Sequence, residues 1–199
     1  MHIEYEVKII QIDPADVRQR LISIGARCIK PEAPYRRWVY LLPSSAPSQK
    51  GFVRVRDEAG DITLTYKSHG KTIDTTREIE LHVDSLIGAR EFVQQLGCQQ
   101  KSYQETRREV WQLPEGGWVM IDTWPWIPTF IEVEGQSETH VRDMVSKLGY
   151  DWSDIVVGGV AQVFIRLGHD IDVDTINNKT PRITFDMDCP YKINLKFKR

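Results

Sequence analysis

The chain has 199 residues, 41% of them hydrophobic, enough for one large domain or two small ones with a sizeable core. Its 26 Lys and Arg stand against 28 Asp and Glu, so no general basic field recruits nucleic acid or an anionic membrane, and any anion site must be local. No apolar run approaches about 18 residues, and the opening residues lack the apolar core of a signal peptide, so the expectation is a cytoplasmic protein with no membrane span. Cys28, Cys98 and Cys189 are odd in number and widely spaced, which suits neither a disulfide framework nor a C-x-x-C metal site, and each reads as a small buried hydrophobe.

The first element, "EYEVK", alternates: Glu4, Glu6 and Lys8 share one face of a strand, and Ile3, Tyr5, Val7 and Ile9 the other. A helix follows, capped by Asp13 with Pro14 behind it and stopped at Gly25. Strands are predicted at 36–42, 51–58 and 61–68, with 46–51 as a mobile loop tip. A second E-x-E strand, carrying Glu78 and Glu80, leads to a helix capped by Asp84 and stopped at Gly97. Strands at 105–113 and 117–123 precede a third E-x-E strand with Glu132 and Glu134, and a helix from Ser137 to Gly149. Leu21, Ile24, Phe92, Val93, Leu96, Val141, Met144, Val145 and Leu148 recur at spacings of three and four, giving each helix one apolar stripe. About eight strands joined by short turns read as an α+β fold: an eight-stranded, mainly antiparallel, closed β-barrel with helices packed outside. Residues 1–170 read as this domain and 171–199 as an extension, whose alternating "YKINLKFKR" suggests an added strand or a partner contact.

Three outer helices need an apolar sheet surface to cover, so the charged strand faces must line the barrel interior. Phe52, Val53 and Val55 flank Arg54 and Arg56, and Thr63, Thr65 and Lys67 oppose Leu64 and Tyr66. Carboxylates two apart on a strand lie about 7 Å from each other and repel by roughly 2 kcal/mol at an effective dielectric near 20. Such an interior suits hard cations held by the acids together with an anion held by the bases, the combination a polyphosphate with Mg²⁺ or Mn²⁺ provides.

The ordered motifs "EYEVK", "RVR", "TYK", "REIE", "RREVW" and "DTWPWIPTFIEVEG" resemble those of the CYTH family, the triphosphate tunnel metalloenzymes, which include class IV adenylyl cyclase and thiamine triphosphatase. The resemblance implies a tunnel with two divalent-metal sites and a small-molecule triphosphate substrate, without nucleic acid or membrane partners and with a homodimer as an option. It places Glu4, Glu6, Glu132 and Glu134 as metal-binding acids, completed by Glu78, Glu80 and Asp122. Lys8, Arg54, Arg56, Lys67 and Arg108 become phosphate-binding bases, and Glu4, Glu6, Lys8 and Lys67 the catalytic set. Thr106 stands where many relatives carry a lysine, so one phosphate contact is either missing or supplied by Arg107. Pro128 replaces a glycine seen in other branches and bears on the start of the last strand.

Other residues carry plainer readings. Arg77 is out of phase with Glu78 and Glu80 and reads as solvated. Only one of the adjacent Arg36 and Arg37 can face inward, and neither is assigned to the site. His2, His69, His82, His140 and His169 form no spaced metal cluster. Trp124 and Trp126 flank Pro125 and read as a packing cap, with stacking on a nucleobase as the alternative. The implied reaction is hydrolysis of inorganic tripolyphosphate or an organic or nucleoside triphosphate. The alternatives are cyclisation of ATP to cyclic AMP and pyrophosphate, and binding of polyphosphate or nucleotide without turnover.

Overall fold

The alternation of the opening stretch becomes strand β1 (His2–Ile9) in a computed structural model that describes residues 2–47, 51–68 and 76–192. The other barrel strands are β2 (Arg27–Leu41), β3 (Gly51–Glu58), β4 (Asp61–Ser68), β5 (Thr76–Val83), β6 (Gln99–Gln112), β7 (Trp118–Thr123) and β8 (Phe130–Gly135). They hydrogen-bond in the order β6-β2-β3-β4-β5-β1-β8-β7, and β7 returns to β6, so an antiparallel eight-stranded sheet closes on itself. Two short strands lie outside this ring: β9 (Ile155–Val156) pairs with β1, and β10 (Arg182–Ile183) runs parallel to β6.

The apolar faces point outward, as the helices require. Helices α1 (Pro14–Ser23) and α3 (Glu138–Lys147) bury Val17, Leu21, Val141, Met144 and Val145 against Val7, Ile9, Val119, Ile121, Ile131 and Val133. Helix α2 (Leu86–Gln95) sets Ala89 and Val93 on Tyr40 and Val55. Helices α4 (Val160–Arg166) and α5 (Val173–Asn178) join Trp124, Ile127, Phe130 and Ile183 in a third cluster. The Asp13 and Ser137 carboxylate and hydroxyl caps form as expected, and Gly25, Gly97 and Gly149 take the left-handed conformation that ends each helix.

Several sequence expectations change. The cap of α2 is Ser85 rather than Asp84, its hydroxyl accepting from the Gly88 amide at 3.0 Å. Phe92 and Leu96 are 58% and 59% exposed, because Leu86, Ala89 and Val93 form the face that meets the sheet. Strands β2 and β6 extend well beyond 36–42 and 105–113, pairing from Arg27↔Gln112 to Leu41↔Gln99 across an irregularity between Lys30 and Ala33 that accommodates Pro31. Cys28 is exposed and Cys189 half-buried, 4.0 Å from His169 Nδ1, so only Cys98 is a buried hydrophobe. Part of the 46–51 loop, His69, and 193–199 of the expected tail strand lie outside the described residues. No helix among the described residues is long and apolar enough to cross a membrane.

Candidate active site

The inner strand faces enclose a cavity of about 300 Å³ lined by Glu4, Glu6, Glu78, Glu80, Glu132 and Glu134 together with Lys8, Arg37, Arg54, Arg56, Lys67, Lys101 and Arg108. Neighbouring strands supply the pairs: Glu6 stands opposite Glu134, and Lys8 opposite Glu132, across β1 and β8. Lys67 on β4 stands opposite Glu78 on β5. At the rim the wall turns partly apolar, with Val39, Phe52, Val157 and Val160 beside Asn177 and Lys101.

The charges interleave. Lys8, 1% exposed, donates to Glu6 at 3.0 Å and lies 3.2 Å from Glu132. Burial opposes its charge, but Glu132 and Glu6 outweigh burial and raise its proton affinity. Lys67 pairs with Glu4 at 2.5 Å and stands 3.9 Å from Glu6 and 3.8 Å from Glu78. Arg54 reaches Glu80 at 3.5 Å and Glu78 at 3.9 Å, yet burial and then Arg56 bring it down to about 10. Arg56 pairs with Glu58 and lies 3.6 Å from Glu80.

The acids divide into two groups. Burial would raise Glu6 and Glu132, but Lys67 and Lys8 hold Glu6 below its ordinary value, and Lys8 and Arg108 hold Glu132 far below it. Glu4 is pushed up to about 8 by burial and by Glu6, against the pull of Lys67. Glu134 is pushed up to about 7 by burial and Glu6. Among the described residues, Glu134 has no cation within ion-pair distance.

Asp122 departs from its expected place. It is fully buried and absent from the cavity wall, and both its oxygens accept from Arg108, at 2.6 and 2.5 Å. Arg108 also donates to Glu132 at 2.6 Å, so Asp122 orients a cavity base from behind. Arg107 does not enter the cavity either; it is exposed, with its guanidinium 5.1 Å from the Phe185 ring. Arg77 is exposed, as its phase predicted.

Sequence reasoning missed Arg37. On β2 the outward apolar face is Trp38 and Tyr40, which pack toward α2, so Arg37 and Val39 fall on the inner face. The register pairs Arg37 with Arg56 and Val39 with Arg54. The bulk of Trp38 and Tyr40 was the available signal. Trp124 lines the cavity and packs in the cluster under α4 and α5, while Trp126 donates from its indole nitrogen to the Met187 carbonyl at 2.7 Å.

Solved structures share this closed barrel with its outer helices. A candidate adenylate cyclase from Vibrio parahaemolyticus matches with a TM-score of 0.70 at 14% identity, covering 82% of this chain and 98% of that one. The PH1012 protein of Pyrococcus horikoshii matches at 0.63 and 22% identity, covering 77% and 94%. The Hippeastrum protein HpAC1, a candidate adenylyl cyclase with a dominant triphosphatase activity, matches at 0.51 and 15% identity, covering 83% and 94%. No family model and no curated protein matches the chain.

Proposed function

We propose that the chain is a divalent-metal-dependent enzyme that acts on triphosphates inside the tunnel, as a phosphohydrolase of inorganic tripolyphosphate or of an organic or nucleoside triphosphate. The observation that carries this reading is the inverted barrel: six carboxylates and seven cations line one cavity, while the apolar residues face outward. A structural ion-pair network would match acids to bases one for one. Here Glu134 lacks a base within ion-pair distance among the described residues, and Glu4 and Glu134 are pushed up to about 8 and about 7, oxygen donors that suit a hard cation.

Among the described residues no three acidic, histidine or cysteine side chains stand grouped around one point, since Lys8 and Lys67 stand between the carboxylates. The donor chemistry nevertheless fits Mg²⁺ or Mn²⁺, with Glu4, Glu6, Glu132 and Glu134 as the residues to hold it and Glu78 and Glu80 beside them. Such an ion would neutralise phosphoryl charge and acidify a bound water. Lys8, Arg54, Arg56, Lys67 and Arg108 bind and orient phosphate oxygens, with Asp122 fixing Arg108 and Glu58 fixing Arg56.

The partly apolar rim favours one second reading, since it offers a place for the organic part of a nucleotide: cyclisation of ATP to cyclic AMP and pyrophosphate. The likeness in fold to a candidate adenylate cyclase and to HpAC1 supports either chemistry. The test incubates the purified chain with ATP and with tripolyphosphate, each with Mg²⁺ or Mn²⁺ and again with excess chelator. Orthophosphate identifies the hydrolase, and cyclic AMP with pyrophosphate the cyclase. Binding without turnover makes the chain a polyphosphate or nucleotide binder, and undiminished activity in chelator overturns the metal requirement.

A further inference from the structure

Arg37 is a buried cavity base with no ion pair among the described residues; Asp122 favours its charge only from a distance. It is 7% exposed and lines the cavity, yet no carboxylate among the described residues lies within ion-pair distance of it. Its Nη2 donates to the Thr106 hydroxyl at 2.9 Å, and its Nε has no acceptor. Its guanidinium lies 4.7 Å from the centre of the Trp124 ring. By contrast Lys8, Arg54, Arg56, Lys67 and Arg108 each have a glutamate or aspartate partner, and Lys101, which has no ion pair among the described residues, is only half-buried.

A guanidinium does not readily escape burial by losing its proton, and a buried charge without a counter-ion is costly. The neighbourhood adds to that cost, because after burial itself the nearby Arg56, Arg54 and Arg108 most disfavour the charge on Arg37. Neither of its two supports carries a negative charge: Thr106 offers a neutral oxygen and Trp124 a ring face. Together they fix the plane of the guanidinium and leave its remaining donors without protein acceptors. A group so held and so unpaired on a cavity wall is preorganised for an anion with several acceptor oxygens.

We propose that Arg37, anchored by Thr106 and Trp124, binds phosphoryl oxygens of the tunnel's substrate. This rests on the triphosphate reading above, and makes Arg37 a substrate-binding residue that acts beside Arg56, its register partner on β3. It also accounts for the threonine at position 106, whose short side chain leaves room for the guanidinium and supplies the one hydroxyl it bonds.

The test follows melting of the full chain over a tripolyphosphate series with Mg²⁺, for the parent, Arg37→Met, Arg37→Lys and Thr106→Val. Arg37→Met is expected to melt no lower than the parent without tripolyphosphate, while the concentration for half-maximal stabilisation rises at least tenfold. Arg37→Lys should lie between the two, since it keeps the charge and loses the fork. Thr106→Val, which keeps the charge and removes its anchor, should shift the midpoint by a smaller factor. If Arg37→Met responds within twofold of the parent, Arg37 does not bind substrate. If Arg37→Met fails to fold, an unchanged midpoint in both Arg37→Lys and Thr106→Val overturns the assignment. A parent that responds to neither tripolyphosphate nor ATP removes the triphosphate reading itself, an outcome distinct from loss of the Arg37 contact alone.

Discussion

Replacing Glu134 by glutamine should stabilise the protein at alkaline pH and leave it unchanged in acid. Glu134 is raised from 4.5 to about 7 by burial and Glu6, with no cation paired to it. The folded state therefore holds this proton more tightly than the unfolded chain does. Its contribution is fully present below about pH 4.5 and is lost as pH rises through about 7. Each unit corresponds to about 1.4 kcal/mol, so the ionised carboxylate costs at most about 3 kcal/mol at pH 8, and roughly 1–2 kcal/mol after side-chain relaxation. Glutamine cannot ionise and escapes that cost. For a domain of this size the gain corresponds to a melting temperature about 3–6 °C above the parent's at pH 8, with little difference near pH 4.5. Circular-dichroism melts in chelator, without phosphate, measure it directly. Glu132→Gln supplies a control of opposite sign, because Glu132 is held low by Lys8 and Arg108, and its loss takes one of the two carboxylate partners from each of them at pH 8. If Glu134→Gln melts no higher than the parent at pH 8, Glu134 is not a buried carboxylate without a cation.

The inverted barrel makes a paired prediction. Val55→Asp, at a position fully buried against α2, should cost about 4 kcal/mol or more in denaturant unfolding, whereas Arg56→Ala should leave the fold intact and weaken triphosphate binding in the same preparations. Equal tolerance of both would place the charged face outside. Gly117→Ala should lose about 2–3 kcal/mol without changing tripolyphosphate affinity. Its φ is +80°, and an added Cβ would meet Met144 Sδ and Cε at 2.8 Å and the Glu134 carbonyl at 2.9 Å. A melt indistinguishable from the parent's would mean that α3 gives way at no cost.

Much of this was legible because charge alternation and helix capping are local signals. The three E-x-E segments and the Arg54 and Arg56 pair fix strand phase, and helices that need an apolar surface then decide which phase faces in. All the expected site residues except Asp122 line one cavity. Asp122 was placed by the family resemblance, which says nothing of depth; fully buried, it meets Arg108 rather than the cavity. Arg37 was obscure for another reason. Both faces of "RRWVYLL" carry apolar residues, so the alternation gives no sign, and only packing of Trp38 and Tyr40 toward α2 resolves it. The full lengths of β2 and β6 were not read from the sequence; Pro31 sits at an irregularity between Lys30 and Ala33, where a missing amide hydrogen costs little, while Pro34 pairs with Arg107 in register.

The outer shell and the interior answer to different demands. Stability resides in the three apolar clusters between sheet and helices, so the interior need not supply it and can hold charges that are not mutually satisfied. Two such charges have opposite signs: Glu134 lacks a cation and Arg37 lacks an anion, although both line the same cavity. Were the interior only a structural network, pairing them would remove both penalties. Other ion pairs stand at each of them instead: Glu134 faces Glu6 across β1, held by Lys8, and Arg37 faces Arg56 across β3, held by Glu58. A cation alone would relieve Glu134 and add to the repulsion on Arg37, while an anion alone would do the reverse. A ligand that carries both signs at separate points, as a metal-complexed polyphosphate does, relieves the two together, which is why the proposed substrate and the proposed cofactor are arguments for one another.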